Sequence, residues 1–225
     1  MKKILVVITN TTKYPNTARA TGVWFSEVVH FVEPFYKRGY EIDYVSPKGG
    51  ATMIDPHSLQ ADFMSELDWQ YYTNAEFLNK LANTKSPKEI DPKEYSVIYY
   101  AGGHGVLWDF VENEALQNIA REIYESNGVV SAVCHGVVGL LNIKRSNGEL
   151  LIKDKKVTGF SNEEEDQAGL SAFVPFLPEN ALKEKGAKYV KGENWSPFAI
   201  SDERVVSGQN PASGLEVAKQ VLELL

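Results

Sequence analysis

Residues 129–136 read Val-Val-Ser-Ala-Val-Cys-His-Gly. Five small or β-branched residues make a strand that tolerates burial on both faces, as in a parallel sheet. The strand ends on Cys134, the only cysteine of the chain. Ala132 and Gly136 flank it two residues to either side. Small residues at those positions allow the sharp strand-to-helix turn that presents a nucleophile. Such a turn lies at the carboxyl end of the sheet, where open α/β folds place their sites. It also puts the sulfur near a helix N-terminus, which favours the thiolate. The competing reading is a core cysteine, since a free cysteine is often a small buried apolar residue.

Upstream, Tyr95–Ala101 (YSVIYYA) is another strand, and Gly102-Gly103-His104-Gly105 follows it. Two glycines let the backbone approach a ligand closely. Amides there and at Cys134–His135 could form an oxyanion hole; otherwise the segment is a plain tight loop. It lacks the Lys-Ser/Thr pair of a phosphate loop and the dinucleotide fingerprint. Asn113–Ser126 between the two strands has helical spacing, with Leu116, Ile119, Ala120 and Ile123 on one side.

Farther out, Ile4–Thr9 reads as the first strand and Val23–Arg38 as a helix ending at Gly39, with Pro34 a possible kink. Glu41–Ser46 is a strand. Gly136–Leu141 is a short buried helix and Lys155–Phe160 a strand, followed by the acidic run Glu163–Asp166. Pro178–Lys185 (helix), Ala187–Val190 (strand), a hairpin turning at Asp202-Glu203 and a closing helix over Pro211–Leu225 complete the chain. Alternating strands and helices imply a mostly parallel sheet covered on both faces. Residues 1–225 read as one α/β domain, with 47–93 too long for a βα connection and therefore an insertion or small cap.

A formal net charge of −7 argues against a nucleic-acid or anionic-membrane partner. No run of 18 apolar residues exists, and Ile4–Ile8 is too short for a signal-peptide core, so the expectation is a cytoplasmic protein. One cysteine permits neither an intramolecular disulfide nor a cysteine-rich metal site.

His135 is a candidate acid or base, or simply a helix-start histidine with a satisfied hydrogen bond. Glu27 lies on an apolar helix. It is either a solvated face residue or a carboxyl with a raised pKa able to share a proton with a thiolate. His30 and His57 are isolated, and Asp55 with His57 lacks a spaced third metal ligand. The expectation is no metal.

AVCHG after one strand, AGGHG after the strand before it, a glutamate on the first helix, VTGFSNEEE and a late GQNPAS resemble the ThiJ/PfpI superfamily from Lys2 to Leu225. The segments around Asp55–Leu59 and Phe160–Glu165 are similar to its heat-shock chaperone and glyoxalase III branch. The resemblance implies the class I glutamine amidotransferase-like, flavodoxin-like three-layer sandwich. It implies that Cys134 is the nucleophile, His135 its partner, and Glu27 the glutamate that hydrogen-bonds the cysteine. Gly102 and Gly103 match the oxyanion side, and by register Glu165 orients His135. Val137 departs from the family, which usually has proline after CHG, so the elbow must draw its rigidity from elsewhere.

The implied activity is a cofactor-independent glyoxalase, converting a small 2-oxoaldehyde such as methylglyoxal to lactate without glutathione, nucleotide or metal. A homodimer is also implied. The alternatives are a stress holdase or cysteine redox sensor, and a deglycase, amidase or peptidase using the same cysteine.

Overall fold

The computed structural model describes residues 3–225. The first strand, β1 (Lys3–Val7), is buried on both faces. Ile4 and Val6 enter one core while Leu5 and Val7 enter the other. That is the expected position of an unbroken apolar run in a parallel sheet. Helix α1 (Phe25–Tyr36) leads to β2 (Ile42–Val45), which pairs parallel with β1. Pro34 does not end α1, which continues to Tyr36.

Residues 47–93 contain α2 (Glu66–Tyr72), α3 (Ala75–Ala82) and short 3-10 turns. Ser65 and Asp68 form a capping box that starts α2. The segment packs against α1 through edge-on aromatic contacts of Phe25 with Tyr72 and Phe77.

The chain re-enters the sheet as β3 (Tyr95–Tyr100), crosses by α4 (Glu114–Glu125), and returns as β4 (Val129–Val133). Then come β5 (Lys156–Val157), α5 (Asn162–Gln167), α6 (Pro178–Glu184) and β6 (Lys188–Tyr189). The chain closes with β7 (Ala199–Asp202), β8 (Val205–Gly208) and α7 (Gly214–Glu223).

The main sheet has the order β2-β1-β3-β4-β8-β7, parallel except for the antiparallel edge β7. α1 and α7 supply Val28, Val32, Val217 and Val221 to the core on one face. α4 supplies Leu116, Ile119 and Ile123 on the other. The result is a three-layer sandwich. No helix among the described residues is long and apolar enough to cross a membrane.

Several elements differ from the sequence reading. Only Lys156–Val157 of segment 155–160 is a strand, and it pairs with β6 outside the main sheet. The rest leaves the ladder: the Thr158 amide donates to Ser207 Oγ at 2.8 Å, and the Phe160 amide donates to the Cys134 carbonyl at 3.3 Å. The apolar stretch after Cys134 is a 3-10 helix, Cys134–Leu140, rather than a helix beginning at Gly136. The hairpin turns one residue later than expected, because Asp202 pairs with Val205 and Glu203 takes a positive φ of 53°.

Candidate active site

The elbow is built from what glycine leaves empty. A Cβ on Gly136 would sit 2.3 Å from the Tyr100 carbonyl oxygen, so only glycine lets the turn pass the end of β3. Cys134 itself has φ 56°. The left-handed region costs an L-residue roughly 1–2 kcal/mol, a strain held by the packed surroundings. Val137, standing where the family has proline, is fully buried, and its Cγ2 fills the space a Gly159 side chain would take. Packing there supplies the rigidity a proline ring would have given.

Cys134 and His135 are both buried, and the Cys134 Sγ lies 3.3 Å from the His135 Nδ1. On its other side the ring places Nε2 2.6 Å from Glu165 Oε2. The other Glu165 oxygen lies 2.8 Å from His104 Nε2. The two imidazoles sit with centroids 4.0 Å apart, and Phe160 covers His135 at 4.4 Å.

Burial opposes the charge on Glu165, but the two imidazoles outweigh it and hold the carboxyl well below the usual range. Burial, reinforced by His135, pushes His104 down to about 4. His104 is therefore neutral at pH 7. Since a carboxylate only accepts, the His104 Nε2–H donates to Glu165.

Glu27 comes from the first turn of α1 and is completely buried. Its Oε2 accepts the Gly102 amide at 2.7 Å. Its Oε1 is buried without a hydrogen-bond partner. Burial pushes Glu27 up to about 8, against hydrogen bonds from the Cys134 thiol and the Gly102 amide. Burial, then the neighbouring Glu27 charge, pushes the Cys134 thiol well above its ordinary value, opposed by the His135 amide.

Gly102 needs correction as an oxyanion donor. Its N–H is committed to Glu27, and a Cβ there would lie 2.6 Å from Glu27 Oε2 and 3.1 Å from Cys134 Cβ. Its position serves the approach of Glu27 to the cysteine. Gly103 lines the cavity and is the glycine whose amide remains a candidate.

The acidic run resolves by helical geometry. Ser161 caps α5, Glu163 turns outward to Lys191 at 2.7 Å, and Glu165 turns inward to the histidines. Glu164 points a third way. Its Oε2 accepts the Ser161 amide and hydroxyl, and its Oε1 accepts the Trp195 amide and the side-chain amides of Gln209 and Asn210. This carboxylate ties the 191–198 segment and the GQNPAS turn to α5.

Cys134, His135 and His104 lie at the floor of a cavity of about 660 Å³. Trp24, Phe63, Phe160 and Trp195 form much of its wall, and His30, Asp55 and His57 also line it. Asp55 is a cap, accepting the His57 amide and the Thr21 hydroxyl. His30 pairs with buried Asp68 at 3.2 Å.

Sequence reasoning missed His104 and Glu164. For His104 a signal existed: it follows the double glycine at the carboxyl end of β3, the strand paired with β4 through Tyr100 and Ala132. For Glu164 no local signal separates it from its acidic neighbours.

The chain is 36% identical over 232 residues to glyoxalase 3 of Candida albicans, covering 99% of this chain and 98% of that protein. It is also 36% identical to a glutathione-independent glyoxalase of Saccharomyces cerevisiae, covering 100% of this chain and 98% of that one. The crystal structure of the Candida albicans glyoxalase III superposes with a TM-score of 0.92 at 35% identity, over 100% of this chain and 97% of that one. The DJ-1/PfpI family pattern matches residues 19–224. With the fold, the elbow and this full-length similarity in agreement, the chain belongs to the DJ-1/PfpI family.

Proposed function

We propose that this protein is a glutathione-independent glyoxalase that converts methylglyoxal to lactate on Cys134. The observation that carries the reading is a buried thiol at the elbow with the His135–Glu165 pair on one side and the buried Glu27 carboxyl as its electrostatic neighbour, in a chain similar throughout its length to glyoxalases.

The sulfur adds to the aldehyde carbon as its proton passes to His135 Nδ1, which lies 3.3 Å away, and from there to the aldehyde oxygen, giving a hemithioacetal. Glu27, held protonated by burial, removes the negative charge that would oppose the thiolate and donates toward the sulfur. Abstraction of the C1 proton gives an enediol, and return of a proton at C2 gives the lactoyl thioester. His135, oriented by Glu165, is the base that moves this proton and then activates the water that hydrolyses the thioester. Gly103, at the cavity lining, offers the backbone amide for the oxygen that gains charge. No electrons leave the substrate: C1 is oxidised as C2 is reduced, so no nicotinamide is needed, and Cys134 supplies the thiol that glutathione would otherwise provide.

The test is methylglyoxal loss and lactate formation by the purified protein without glutathione or added metal, beside Cys134→Ala. Turnover in the wild type that vanishes in the variant is the expected result. A reduced wild-type protein with no turnover would overturn the reading.

A further inference from the structure

The Glu165 carboxylate and the two imidazoles around it form a set that the proposed reaction does not need in full. His104, His135 and Glu165 each offer one potential ligand atom, these atoms lie within 4.8 Å of one another, and all three residues are buried; each Nε2 already faces a Glu165 oxygen, at 2.8 Å and 2.6 Å. Two imidazoles and one carboxylate suit zinc and its neighbours, with a fourth position left for water. Both histidines border the cavity, which gives an ion a route from solvent to the cluster. The three residues sit on separate structural supports: the glycine turn after β3, the elbow after β4, and the first turn of α5. No covalent rearrangement is needed to bring them onto one ion.

We infer that His104, His135 and Glu165 form a binding site for a borderline divalent cation of the zinc type. Binding is a ligand exchange in which no electron moves. Each Nε2 must present a lone pair, so its proton moves to Nδ1 or leaves to solvent, and the two hydrogen bonds to Glu165 are replaced by metal bonds. The Cys134 sulfur faces Nδ1, on the far side of the His135 ring from the ion. The site therefore has no thiolate ligand. On the glyoxalase reading, an ion there takes His135 and Glu165 out of use, so the cation is a reversible inhibitor; the binding claim stands apart from that reading.

The probe is cobalt(II) added to the metal-free wild type and followed by visible absorption. The expected result is one-to-one binding with tetrahedral d–d bands, no sulfur-to-metal charge-transfer band, and an unchanged spectrum in Cys134→Ser. Affinity should fall by more than about tenfold in His104→Asn and in Glu165→Gln. A measurement without mutation guards against variants that fail to fold. Zinc(II) added to the wild type should shift the imidazole proton resonances of two of the four histidines, namely His104 and His135. The inference is overturned by absent one-to-one binding, by a charge-transfer band lost in Cys134→Ser, or by shifts confined to His30 and His57. Metal binding with no glyoxalase turnover would sustain this site and sink the proposed function. Turnover with no metal binding would do the reverse.

Discussion

The His135 Nδ1 lies 3.3 Å from the Cys134 Sγ although the two residues are consecutive in the chain. Neighbouring side chains ordinarily diverge, and here the positive φ of Cys134 brings them together. Geometry and strain thus have one source, which can be tested without an activity assay. Cys134→Gly should melt at a higher temperature than Cys134→Ala, because glycine accepts φ 56° without the roughly 1–2 kcal/mol cost. Equal melting temperatures would show that the elbow is relaxed. Both variants should lose turnover.

Glu27→Gln should fold and keep the contact with the Gly102 amide, while turnover falls about 10²–10⁴-fold. The pH dependence of stability gives a second readout. The Glu27 carboxyl has a folded value near 8, above its ordinary 4.5. Between those values the native state binds more protons than the unfolded chain, so this group lowers stability as pH rises. Urea midpoints of the wild type relative to Glu27→Gln should therefore decline across that window. A constant difference would refute a protonated Glu27.

Glu165 and His104 both make stability fall as pH falls, over different intervals. Glu165 is depressed in the folded state, so its contribution is full above its ordinary value and is lost as pH falls through the folded value. His104, folded value about 4 against 6.5, is destabilising as pH falls from 6.5 toward 4, because the unfolded chain takes up the proton first. His104→Asn should flatten the loss of stability between pH 6.5 and 4. Glu165→Gln should flatten the loss below about pH 4.5 and cut kcat by about 10²–10⁴-fold. Thermal melts at fixed ionic strength across both intervals separate the two.

Gly102→Ala places a methyl group 2.6 Å from Glu27 Oε2 and 2.9 Å from the Val133 carbonyl. Overpacking of this kind costs about 1–3 kcal/mol, and here it also drives Glu27 from the cysteine. The variant should be destabilised by that amount in urea and retain little activity. Full activity in a destabilised protein would show that the Glu27 position is not needed.

The strand-turn pattern around Cys134 and Tyr95–Gly105 was legible because parallel strands buried on both faces read as continuous apolar runs, and small residues mark the turns. Segment 155–160 was not, since its β-branched residues are buried by side-chain packing and a Ser207 hydroxyl contact that a strand pattern imitates. Cys134 and Glu27 were visible as a cysteine at an elbow and a carboxyl on an apolar helix. Their contact depends on Gly102, whose importance lies in the volume it leaves empty. His104 escaped notice because its partner, Glu165, lies 61 residues farther along the chain. Pairings of that range are set by topology and leave no local periodicity.

Glu164 and Glu165 share a peptide bond yet serve opposite ends of the cavity. One anchors the segment bearing Trp195 at the mouth, and the other seats His135 at the floor. The six-residue helix that carries them behaves as a hinge pin common to both. A relative with a different mouth loop could not donate that loop alone, because the incoming backbone would need its own Glu164 contacts. The transferable unit for reshaping substrate range is the loop together with α5, and any graft that moves the helix will retune the histidine below it.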